Sequence, residues 1–151
     1  MTRKLPLDTL IDLASERTEQ SARRLADLLK AQAGAAERLG VLLRYREEYL
    51  ALMHERMCAG LSALQMRNFQ QFVATLDGAI EQQRKLARQA ETRLAEGRSD
   101  WQANKRRLGA FDTLAARARQ EEALAEGRRE QRESDERAAT RFRQGSSAFA
   151  A

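Results

Sequence analysis

The chain has 151 residues but only one proline, Pro6, one cysteine, Cys58, and one histidine, His54. Aromatic residues make up 5% of it: five Phe, two Tyr and one Trp. A lone cysteine makes no internal disulfide, which excludes a cross-linked secreted scaffold and points to the cytoplasm. Beyond residue 6 no proline interrupts a helix. So few bulky apolar residues do not fill the core of a compact domain of this length. No apolar run approaches the roughly 20 residues that span a bilayer, so no transmembrane segment is expected. The start, Met1-Thr2-Arg3-Lys4-Leu5-Pro6, leads to Asp8 and Asp12 and lacks the apolar centre of a secretory signal.

Site chemistry is equally sparse. His54 and Cys58 are four apart and share a helix face. They lack the third, orienting group of a nucleophilic site and the ligand count of a closed metal site. No glycine-rich phosphate loop is present. The expectation is a protein without catalytic residues, metal or cofactor.

What remains is charge, alanine and leucine. Charged residues make up 32% of the chain, the composition of long helices and coiled coils. The net charge of +5 is uneven: residues 84–143 hold 16 Lys/Arg against 11 Asp/Glu, while residues 1–83 hold 11 of each. Acids such as Glu121, Glu122, Glu130 and Glu133 interrupt the basic half, as on a solvated helix face laced with i,i+4 pairs. Lys105-Arg106-Arg107 is the densest basic cluster near Trp101. It is shorter than the basic region of a zipper protein, so nucleic acid is not the expected partner.

Two apolar seams with alternating spacings of three and four run along the chain. The first is Leu7, Ile11, Ala14, Thr18, Ser21, Leu25, Leu28, Gln32, Ala35, Leu39, Leu42, Arg46, Tyr49 and Met53. The second is Phe69, Val73, Leu76, Ile80, Gln83, Ala87, Ala90, Leu94, Gly97, Trp101, Asn104, Leu108, Phe111, Ala115, Ala118, Glu122 and Ala125. This is the heptad pattern of supercoiled helices, with Gln83 and Asn104 as polar positions that fix register. The seams are out of phase by one residue across Cys58–Ser62, and Gly60 suits a helix end.

The expected fold is therefore all-α: two long helices in an antiparallel coiled-coil hairpin, turning near residues 58–65. It forms a single domain over 1–151, with helix 1 at about 6–57, helix 2 at about 65–143 and a disordered tail at 144–151. At 1.5 Å per residue the arms are roughly 80 and 120 Å long. Helix 1 covers helix 2 only to about residue 118, so the polar overhang Arg119–Arg143 is expected to fray unless something holds it.

Four stretches carry a resemblance. They are Tyr45-Arg46-Glu47-Glu48-Tyr49; Asn68-Phe69-Gln70-Gln71-Phe72 with Thr75-Leu76 and Ala79-Ile80; Trp101, Lys105, Arg107-Leu108, Thr113-Leu114 and Arg117; and Leu124-Ala125-Glu126, Arg128, Gln131 and Asp135-Glu136. Off-seam residues such as Tyr45, Gln70, Gln71 and Lys105 are the specific part. With these the chain resembles the flagellar export protein FliJ family over most of its length. The resemblance implies a two-helix coiled coil similar to the stalk subunit of rotary ATPases. It implies three partners: the flagellar export ATPase hexamer, whose assembly and activity the protein promotes; the cytoplasmic linker of the export gate protein; and export chaperones, which it helps recycle. It also implies a cytoplasmic protein peripherally associated with the inner membrane at the flagellar base.

The family's gate-contacting positions fall on Leu42, Tyr45, Tyr49, Phe72, Leu76 and Ala79. The sequence departs from the family at Arg38, where glutamine is usual, and at Gln83, where histidine is usual. Arg38, Leu42, Tyr45 and Tyr49 form one stripe by 4, 3, 4 spacing, and Phe72, Leu76, Ala79 and Gln83 form another. A hairpin turning near residue 61 brings the stripes together. Leu42, Tyr49, Leu76 and Gln83 lie on the seam, while Tyr45, Phe72 and Ala79 flank it. By the stalk analogy the ATPase contact falls near Leu7–Asp12 and Arg117–Arg128. The alternatives are the equivalent stalk protein of a virulence-type secretion system, or a basic coiled coil that binds nucleic acid or a membrane surface.

Overall fold

The computed structural model describes residues 6–150. It consists of two helices, α1 (Pro6–Ala59) and α2 (Ala63–Phe149), packed against each other as a helical hairpin, with no strand among the described residues. Asp8 sits in the first turn of α1, where a carboxylate suits the positive helix end. The residues read for targeting at 1–5, and Ala151 of the expected tail, lie outside the described residues.

The turn is three residues long, Gly60-Leu61-Ser62, inside the expected 58–65. Gly60 takes φ 99°, a left-handed conformation that costs glycine nothing, and its N–H donates to the Met57 carbonyl at 3.3 Å. Ser62 then starts α2 with a reciprocal capping box. The Gln65 N–H donates to Ser62 Oγ and the Ser62 N–H donates to Gln65 Oε1, both at 3.2 Å. The bend thus has a stop signal and a start signal back to back.

The chain divides into two compact units. One comprises Glu16–Lys105 and includes the bend. Its buried residues are Ala35, Leu76, Ile80 and Gly97, each under 9% exposed. The other comprises the residues up to Ser15 and those from Arg106, with Ala14 and Ala115 buried. Among the described residues no large side chain is fully buried in either unit. The core is a seam one residue wide, which the low aromatic content could fill.

All fourteen residues of the first seam are buried or half-buried, and so are those of the second from Phe69 to Ala115. Leu25, Leu28, Leu39, Met53, Phe69, Val73, Ile80, Leu94, Trp101, Leu108 and Phe111 therefore stand where the heptads put them. The last three members of the second seam, Ala118, Glu122 and Ala125, are exposed. Their heptad spacing continues, but α1 begins at Pro6 and supplies nothing beyond to cover them.

The end of α2 differs from the expected bounds. The 119–143 segment, expected to fray unless something holds it, is helical, and the helix continues to Phe149 where a tail was expected from residue 144. The overhang is rich in alanine, glutamate and arginine, which are strong helix formers. It is laced with i,i+4 contacts: Arg137 to Glu133 at 3.6 Å and Gln131 to Asp135 at 3.3 Å. Gln144-Gly145-Ser146-Ser147 contains no proline to stop it. Every residue from 116 to 150 is exposed.

Candidate functional site

The Glu16–Lys105 unit carries a cluster of four aromatic rings. Tyr49, on the seam, lies 4.4 Å from Phe72 and 5.1 Å from Phe69 between ring centroids. Tyr45, one turn earlier on α1, meets Phe72 edge-on at 6.1 Å and 78°. Such pairs contribute about 0.5–1.5 kcal/mol beyond the area they bury. Both helices are needed to build the cluster, because each supplies two of the rings.

The structure brings Tyr45 and Tyr49 against Phe72, three of the residues that the resemblance assigned to this patch. Leu76 is 7% exposed and belongs to the core. Leu42, Tyr49, Phe72 and Ala79 are half-buried. Tyr45 is 47% exposed, so one side of its ring packs on Phe72 and the other meets solvent. The patch therefore has a buried support and an exposed aromatic rim, an anatomy suited to protein recognition.

The two departures sit differently. Gln83 is half-buried and donates through Nε2 to the Ala35 carbonyl at 3.3 Å, so its amide is occupied within the hairpin. Arg38 is exposed, with one guanidinium nitrogen 3.6 Å from where a Cβ on Gly34 would stand. Asn104, the other position read as fixing register, donates to Ser21 Oγ at 3.2 Å. Gln83 and Asn104 are thus both bonded across the hairpin, the arrangement that penalises a slipped register.

Beside the patch Arg46 Nε donates to Asp77 Oδ1 at 2.6 Å, joining the two helices. That hydrogen bond, with the adjacent charge, raises the Arg46 pKa further above its ordinary value. Arg46 was read as a seam member and as part of the resemblance, and Asp77 was passed over. The usable signal was the register, because a hairpin turning near residue 61 pairs residues whose numbers sum to about 123, as 46 and 77 do. Phe69 was read as seam alone, yet its ring completes the aromatic cluster.

Other candidates stand apart from the patch. His54 and Cys58 are exposed, and no group of three or more potential metal-binding side chains occurs among the described residues. Lys105 Nζ lies 4.9 Å from the Trp101 ring centroid, a cation–π contact that engages the basic cluster's first residue within its own helix. In the other unit Leu10, Leu13 and Leu114 are 44–50% exposed, and Asp8, Asp12, Asp112 and Arg119 line a shallow groove with Ile11 and Ala115. No helix among the described residues is long and apolar enough to cross a membrane.

Comparison with known proteins gives a family match over most of the chain. The family model described as flagellar FliJ protein matches residues 3–147. The flagellar FliJ protein of Escherichia coli (strain K12) is 36% identical over 130 residues, covering 86% of this chain and 88% of that protein. The flagellar FliJ protein of Salmonella typhi matches with the same identity and coverage.

Proposed function

This chain belongs to the flagellar FliJ protein family, and from that premise we propose that it is a non-enzymatic, stalk-like subunit of the flagellar type III export apparatus. In this reading it binds the export ATPase, promotes assembly and activity of the ATPase ring, contacts the cytoplasmic linker of the export gate, and binds and recycles export chaperones. It acts in the cytoplasm, at the inner-membrane face of the flagellar base. ATP hydrolysis belongs to the partner.

The observation that carries the reading is the half-exposed Tyr45 ring held edge-on by Phe72. An aromatic ring fixed on one side and open on the other is preorganised for a partner, because little side-chain freedom remains to be lost on binding. Tyr45 and Phe72 then carry gate recognition, and Leu76 holds the helices together beneath them. The ATPase contact falls to the unit of the chain ends, where Leu10, Leu13, Leu114 and Leu124 are exposed.

The test is to add the purified protein to the flagellar export ATPase and follow hydrolysis and ring formation. Stimulation of both is expected. No stimulation, together with normal motility of cells carrying Tyr45→Ser and Phe72→Ser, would remove the basis of the proposal.

A further inference from the structure

The aromatic rim is one end of a longer surface. Counting in sevens from Tyr45 along α1 gives Leu52 in one direction and Arg38, Ala31, Arg24 and Arg17 in the other. Counting from Phe72 along α2 gives Ala79, Leu86, Arg93 and Asp100. Residues seven apart share a helix face. Two observations put both rows on the same flank of the hairpin: the Tyr45–Phe72 ring contact at one end, and a groove lined by Arg17, Arg24 and Asp100 at the other.

The flank is divided in character. Near the bend it is apolar, with Leu52, Tyr45 and Leu86 each 40–54% exposed. Away from the bend it is basic, with exposed Arg17, Arg24 and Arg93 against the single acid Asp100. Arg38 stands between the two halves. None of these four arginines is in an ion pair among the described residues. The opposite flank of α2 is built otherwise. There Asp77, Arg84, Glu91 and Arg98 alternate in sign, and Asp77 is already joined to Arg46. Arginines without an ion pair and not alternating with acids, next to exposed Leu52, Tyr45 and Leu86, distinguish this flank from that row of α2.

We propose that this flank is one continuous docking surface for an amphipathic protein helix that is apolar at one end and acidic at the other. The apolar end lies over Leu52, Tyr45 and Leu86, and the acidic end lies over Arg93 and Arg24. The proposal rests on the contact role given above to Tyr45 and Phe72, and adds length, direction and charge to it. A protein helix fits better than a polyanion. A membrane or nucleic acid would use the arginines and leave the apolar half uncovered, and Asp100 would repel it.

The experiment measures binding of the full-length chain to the export gate protein in nanodiscs, from about 50 to 300 mM salt. The double variant Arg24→Gln, Arg93→Gln is compared with Arg84→Gln, Arg98→Gln, which removes the same charge from the opposite flank. The first pair should weaken binding about tenfold at low salt and flatten the salt dependence. The second should change it less than about twofold. Leu86→Ser, at a 54% exposed site, should weaken binding about fivefold while the melting temperature holds.

Equal effects from the two pairs, or none from either, overturn the proposal. So does retention of the wild-type chain on anionic vesicles or duplex DNA that the Arg24/Arg93 pair abolishes, since the arginines then serve a polyanion. If the Tyr45→Ser, Phe72→Ser chain binds the gate normally, the contact reading itself fails.

Discussion

At the scale of single residues, Gly97 shows most sharply how thin the core is. A Cβ at this position would overlap Leu28 Cδ1 across the seam. Alanine would gain about 1 kcal/mol of helix propensity, but overpacking typically costs about 1–3 kcal/mol. Gly97→Ala should therefore lower the melting temperature. Gly109→Ala is the control, because its Cβ would meet nothing within 4 Å, and it should raise stability by about 1 kcal/mol. Thermal unfolding of the two variants checks this; a rise in both would mean that Leu28 simply rotates away. Leu76 and Tyr45 make a second contrast. Leu76→Ala removes a side chain that is 7% exposed and should cost about 2–4 kcal/mol in denaturant unfolding. Tyr45→Ser should cost about 1 kcal/mol, the worth of one edge contact.

At the scale of elements, the ends of the helices carry the information. The capping box at Ser62 and Gln65 fixes where α2 begins, and Ser62→Ala should cost about 1 kcal/mol in the same assay. The far end of α2 is different, since nothing from residue 116 to 150 is buried. Removing residues 120–151 should reduce the helical circular-dichroism signal yet leave the melting midpoint within about 2 °C. A large drop would mean that the overhang packs on something in solution. These elements also show what the sequence made legible. Heptad spacing located the seam residues because a two-helix core is defined by periodicity alone. The one-residue phase slip located the bend for the same reason. Ser62-Ala63-Leu64-Gln65 was an available start signal that the phase argument passed over. The extent of α2 was misjudged because a polar helix has no periodic mark that says where it stops. Gly97 and Asp77 were opaque for another reason: their roles depend on which side chain lies opposite, and the exact stagger of the helices decides that.

At the scale of the whole molecule, the candidate site is a surface patch. The patch needs both helices, because Tyr45 and Tyr49 come from α1 and Phe69 and Phe72 from α2. If recognition runs through this patch, it is coupled to folding of the hairpin: loosening the seam and trimming the rim should both abolish binding, but trimming Tyr45 should lower the melting temperature far less than trimming Leu76. The candidate residues were legible from resemblance and spacing together. Their division of labour, with Leu76 beneath and Tyr45 open to solvent, was legible only as a seam-versus-flank expectation, and the exposures of 7% and 47% give it a physical basis. The most direct measurement of the central claim is swimming motility of flagellated cells whose only copy of this protein carries Tyr45→Ser, expressed at wild-type level. Loss of most swimming, from a chain that still folds, is predicted; wild-type swimming would contradict the proposal that the exposed Tyr45 rim makes the export contact.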